Sequence, residues 1–199
     1  RLFNDSGWTE GPSGFGFDAK FPATYNEIIG TDVRSDMHGN SPSAYIRIPF
    51  ELTSPGDIDL LRIRAQYGDG FVAHVNGQKI LSVDAPDNPQ WDSVATAVRF
   101  PNNVLAFEEF DVLLDGSPGL LVAGTNVLAI HGLNNHTNNN DFVIVPELIT
   151  IATASIDINS RRYFEPSTPL QPNGSGYATL SATPVASVTS GVYVAQVSV

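Results

Sequence analysis

Along most of the chain, apolar and polar positions alternate in short runs. Residues 44–52 (AYIRIPFEL) set Ile46, Ile48 and Phe50 against Tyr45, Arg47 and Pro49. A period of two is that of a strand with one buried face. Residues 60–67 (LLRIRAQY) repeat it, with Leu61, Ile63, Ala65 and Tyr67 against Arg62, Arg64 and Gln66. Residues 71–75 and 78–83 flank Asn76-Gly77, a pair suited to the two positive-φ positions of a type I′ hairpin turn. Asp69-Gly70 marks a second tight turn just upstream. Residues 107–114, 125–133 and 141–151 bring the predicted strands to seven. No stretch sustains a 3.6-residue period, and residues 54–60 predict at most one helical turn. Many short strands separated by Gly, Pro, Asn and Asp predict an all-β sandwich or barrel. Its core is expected to draw on Ile46, Ile48, Phe50, Leu61, Ile63, Phe71, Val75, Val127, Leu128, Ile130, Phe142 and Ile144.

The texture changes near residue 152. Residues 1–152 form the expected sandwich, and residues 153–176 read as a semi-rigid linker carrying Pro166, Pro169 and Pro172. Residues 177–199 are too few to bury a core. They are expected to be a partial second β domain, or a tail that donates a strand to a neighbouring domain or copy. The chain opens at Arg1, which reads as a processed or excised piece.

Composition narrows the function classes. Among 199 residues, 10 are Lys or Arg and 21 are Asp or Glu, a net charge of −11. Nucleic-acid binding is not expected without clustered basic residues. The only lysines, Lys20 and Lys79, make no polybasic membrane patch. Apolar runs are too short to insert in a bilayer. Cysteine is absent, which fits an exported bacterial protein and a cytosolic one alike.

No nucleophile elbow, phosphate loop or dinucleotide fingerprint occurs, so no enzyme is expected. Glu108, Glu109 and Asp111 lie close together, but adjacent strand residues point to opposite faces and make no acid–base pair by themselves. The loop-borne residues point instead to binding. Trp8 and Trp91 sit in loops, where an aromatic face can stack on a sugar or plug the end of a sandwich. Asp69 and Asn76 occupy tight turns, which their side chains favour for local reasons. His131 leads into GLNNHTNNND, where Asn134 and Asn135 open a run of amide donors and acceptors. Such a loop suits sugar hydroxyls or calcium, and His131 also reads as a core histidine. The four histidines show no zinc spacing.

Three motifs carry a family likeness. YGDGFVAHVNGQKI (67–80) resembles the signature YDDGFVAYLNG, GTNVLAIHGLNN (124–135) resembles G.NVLAIHGLN, and DFVIVPEL (141–148) resembles SDFLI.PEL. In this order they resemble the galactose-binding-like jelly-roll modules of large secreted bacterial proteins of planctomycete and verrucomicrobial type, which often adjoin lamin-tail or spore-coat-kinase-like domains. The same jelly roll is similar to the sugar-binding domain of family 2 glycoside hydrolases. The likeness covers roughly residues 11–150. Gly68 stands where the signature has the first of two acids. Downstream, RRYFEPSTPLQPNG (161–174) resembles the linker that follows such modules, and residues 183–199 resemble the opening of a chitobiase C-terminal-like domain.

The resemblance implies an antiparallel jelly roll acting as a non-catalytic carbohydrate-binding or cell-surface accessory module of an exported multidomain protein. The alternative is a structural subunit of an extracellular assembly. The candidate ligand residues are Trp91, Tyr67, Asp69, His131, Asn134 and Asn135, with a glycan as partner. It also implies a structural calcium, for which Asp32, Asp36 and Glu147 are the candidates.

Overall fold

The computed structural model describes residues 4–114, 117 and 119–152. The expected linker and tail lie outside the described residues.

Among the described residues, nine strands form two sheets. In chain order they are β1 (Phe15–Asp18), β2 (Thr31–Asp32), β3 (Ser43–Leu52), β4 (Leu60–Tyr67), β5 (Gly70–Val75), β6 (Gln78–Val83), β7 (Glu108–Leu113), β8 (Gly124–Leu133) and β9 (Asp141–Ile151). Two single helical turns, α1 (Arg34–Met37) and α2 (Pro101–Val104), interrupt them. One sheet runs β2-β1-β9-β4-β7 and the other β3-β8-β5-β6. Every pairing is antiparallel except the two-residue β1–β2 bridge. The chain crosses from sheet to sheet at six of the eight connections between these strands, which is the jelly-roll path within an all-β sandwich.

All seven predicted strands are present, and the turn at residues 54–60 is a 3-10 turn, Pro55–Asp57. The inward rows are those the alternation predicts. Leu61, Ile63, Ala65 and Tyr67 from β4 meet Phe71, Ala73 and Val75 from β5 in one core. Phe71 packs edge-on against both Tyr67 and Phe110 in this core, Tyr67 to Phe71 at 4.9 Å between ring centroids. Ile48 and Phe50 pack against this core half-buried. One expected core residue is corrected: Val127 is not in it. The inward row of β8 is Asn126, Leu128 and Ile130, and a neighbour of Leu128 must face the other way.

Asn76-Gly77 forms the expected hairpin, with φ of 50° and 87°. Beyond the turn, Asn76 extends the β5–β8 ladder. Its backbone N–H donates to the Val127 carbonyl at 3.0 Å, and its Oδ1 accepts from the Val127 N–H at 2.9 Å.

The register gathers several chain reversals at one end of the sandwich. Ser43 and Gly70 both lie opposite Leu133. Asp18 lies opposite Asp141. Gly68 N–H donates to the Val143 carbonyl, and Asn134 N–H to the Pro42 carbonyl. The long segment 84–107 is tied to the same end through Ala95 N–H, which donates to the Asn134 carbonyl at 2.9 Å.

Candidate functional site

A narrow cleft of about 100 Å³ opens at this end. Its lining joins four separate stretches of chain: Lys20 after β1; Gly68 and Asp69 between β4 and β5; Val98 and Arg99 from segment 84–107; and Asn135, Asn139 and Asp141 around the β8–β9 loop. Val104 and Val143 add apolar wall, and both pack with buried Tyr25. Outside, Phe21, Val98 and Phe100 are strongly exposed, and each is, or adjoins, a lining residue.

Asp69 is the most buried acid of the cleft, 5% exposed with φ at 75°. Asp tolerates that left-handed conformation better than most residues. Gly70 beside it lets the turn close, since a Cβ there would lie 2.4 Å from the Asp84 carbonyl oxygen. The Oδ1 of Asp69 accepts from the Arg99 N–H at 3.1 Å, and its Oδ2 from the Asn135 N–H at 2.9 Å. Burial pushes its carboxyl above the ordinary value, the two backbone amides pull it back, Asp141 adds to the rise and Lys20 opposes it. Lys20 Nζ pairs with Asp141 at 2.5 Å and lies 5.6 Å from the Tyr25 ring centroid.

Beneath the cleft, the Tyr67 hydroxyl donates to Glu108 Oε2 at 2.7 Å and accepts from the Arg99 guanidinium at 2.6 Å. Arg99 also pairs with Glu108 at 2.9 Å and stacks over the Tyr67 ring at 4.0 Å. Burial, and then the bond to Glu108, hold the Tyr67 phenol far above its usual range.

The sequence-predicted ligand residues separate on inspection. Asp69 and Asn135 line the cleft. Asn134 is at the same end but buried as a staple: its Nδ2 donates to the Asp141 carbonyl at 2.8 Å, and its Oδ1 accepts from Asn139 at 2.9 Å. Tyr67 is a core residue whose hydroxyl is spent on Arg99 and Glu108. Trp91 is 67% exposed and plugs nothing. Its backbone carbonyl is held by the Ser43 hydroxyl, and its ring does not line the cleft. His131 is 4% exposed, stacked under Tyr45 at 4.3 Å, and its Nε2 makes no hydrogen bond among the described residues. Asn139 and Asp141 belong to the Asn-rich loop expected to bind, whereas Lys20 and Arg99 carry no signal in the sequence, and only the fold brings the four together.

The expected calcium ligands do not converge. Asp32 accepts from the Arg34 N–H at 2.7 Å and, with Arg34, Ser35 and His38, lines a wide hollow. Asp36 lies in α1. Glu147 pairs with Arg64 at 2.7 Å on the five-stranded sheet. Among the described residues, no three His, Asp or Glu side chains gather so as to hold a metal ion. Asp32 and Glu147 are instead engaged by local chemistry, a turn amide and a cross-strand arginine.

The described residues therefore define a jelly-roll β-sandwich with a small polar cleft at one end. No protein-family model matches the chain, and no curated protein matches it. Among the described residues, no helix is long and apolar enough to cross a membrane.

Proposed function

We propose that the chain is a non-catalytic carbohydrate-binding accessory module of an exported or cell-surface bacterial protein, and that the cleft beside Asp69 seats the glycan. The observation that carries this reading is the composition of the cleft. Asn135 and Asn139, the ammonium of Lys20 and the Asp141 carboxylate line a small concavity with exposed Val98, and exposed Phe21 and Phe100 stand next in sequence to the lining residues Lys20 and Arg99. Polar groups that fix orientation, beside apolar surface that covers a ring face, are what sugar recognition requires. A cleft of about 100 Å³ falls well below the several hundred Å³ common for larger ligands, so it suits the edge of one terminal residue.

The charges support binding over catalysis. Lys20 is paired with Asp141, Arg99 with Glu108, and both oxygens of Asp69 accept backbone amides. None of these acids stands free as a proton donor or nucleophile. The test is a panel of immobilised galactan, mannan, β-glucan and polygalacturonate, run with the full chain and with Asn135→Ala and Phe21→Ala. Retention on at least one polysaccharide is expected, weakened about tenfold or more by each substitution, the effect of losing one well-placed contact. Retention unchanged in both variants would remove the cleft from the binding surface.

A further inference from the structure

Asp69 lines the cleft, yet its chemistry is directed into the protein. Its carboxylate faces two loops that no strand pairing connects. Arg99 belongs to segment 84–107, thirty residues away, and Asn135 to the β8–β9 loop, sixty-six residues away. Each sends a backbone N–H to a different oxygen. With 5% of the residue exposed, little of the carboxylate is left for a ligand.

We propose that Asp69 is the positioning residue of the cleft: it holds the Arg99 and Asn135 loops together as a two-pronged clamp and does not itself recognise the ligand. The proposal rests on the reading that this cleft binds. A carboxylate is the side chain the position demands. Two N–H donors arriving from two directions need two acceptor oxygens, and an amide would turn an NH₂ toward one of them. Glu would reach a methylene too far. Asn139 adds a third, long contact to Oδ2 at 3.5 Å and is itself bonded to Asn134, so the loop that presents Asn135 and Asn139 is anchored at both points. Lys20, Asp141, Arg99 and Tyr25 are the other charged or titratable groups around Asp69. Lys20 and Asp141 neutralise one another, and the Arg99 guanidinium is turned to Glu108 and Tyr67. The backbone amides are thus the groups that answer the buried carboxylate.

The clamp separates two residues that sequence alone puts in one class. Asn135 holds the clamp by its backbone N–H, which its side chain does not supply, and the residue also lines the cleft. Asn135→Ala should therefore leave the clamp intact and weaken binding, whereas Asp69→Asn should loosen both loops. The experiment is amide hydrogen exchange by NMR on the full 199-residue chain, alongside retention on immobilised galactan, mannan and β-glucan. In the wild type, the Arg99 and Asn135 amides are expected to exchange at least about tenfold more slowly than neighbouring loop amides, the protection of a charge-assisted bond. Asp69→Asn is expected to erase most of that difference for one or both amides, while core amides of Leu61 and Ile63 stay protected. Asn135→Ala is expected to leave the Arg99 amide as slow as in the wild type. Should Asp69→Asn not fold, the wild-type rates decide: Arg99 and Asn135 amides exchanging at ordinary loop rates would overturn the clamp. So would unchanged protection in a folded Asp69→Asn. Slow amides with no retention on any of the three polysaccharides would leave the clamp standing and overturn the glycan reading.

Discussion

His131 shows how a position's chemistry follows from what covers it. Its strand position points it away from the inter-sheet core, yet Tyr45 stacks on it and it is buried. Burial is the first cause that pushes its imidazole down to about 4, and the nearby His74 is the second. The folded protein thus keeps His131 neutral where the unfolded chain, near the ordinary 6.5, takes up a proton. Stability from this residue is complete above pH 6.5 and is lost as the pH falls from there toward 4. The loss amounts to about 3 kcal/mol at most. His131→Phe keeps a ring under Tyr45 and removes the titration. In urea unfolding from pH 7.5 to 4.5, the wild type is expected to lose stability more steeply than the variant. Parallel curves would show that His131 is not held neutral.

Among the elements, the β5–β6 hairpin and β8 are joined by an amide pair where an apolar contact would be ordinary. Asn126 is completely buried on the inward row of β8. Its Oδ1 accepts from Asn76 Nδ2 at 2.8 Å and from the Val122 N–H at 2.9 Å. Its Nδ2 donates to the Val122 and Gly124 carbonyls. Asn76 Nδ2 also reaches the Leu120 carbonyl at 2.8 Å. The pair thus stitches the hairpin turn to the strand's entry loop, and each polar group is answered. Asn126→Leu would leave several buried groups without partners and is expected to cost about 3 kcal/mol by urea denaturation. A cost below about 1 kcal/mol would mean that water replaces the pair. Ile63→Ala, in the fully buried row of β4, offers the apolar comparison, with about 2–5 kcal/mol expected from the lost contacts and the cavity. The turn chemistry of Asn76 was readable in Asn-Gly. Its partner was not, because Asn126 sits among Val, Leu and Ile in a run that reads as core.

For the molecule as a whole, charge is the governing quantity. A net charge of −11 repels itself, and salt relieves that repulsion. The ion pairs on the five-stranded sheet, Arg62 with Glu109 and Asp111 and Arg64 with Glu109 and Glu147, have acidic side chains 43–48% exposed, and such pairs are individually worth little. The melting temperature is therefore expected to rise between 10 and 150 mM NaCl, concentrations that span Debye lengths of roughly 30 to 8 Å. A fall would show that the cross-strand pairs outweigh the repulsion. Alternation by itself determined the seven main strands, the inward row of β4 and an all-β class, because a pleated strand exposes its two faces at every second residue whatever surrounds it. It also located the Asn76-Gly77 turn, since positive φ is a local demand. What only the tertiary structure decided is the cleft. Lys20, Asp69, Arg99, Asn135 and Asp141 lie up to 121 residues apart, and no local period relates them. Their meeting depends on strand register and on loops pinned by single hydrogen bonds. The same long-range geometry sorted Asn134 from Asn135 and laid the Tyr45 ring over His131, since what covers a residue comes from elsewhere in the chain.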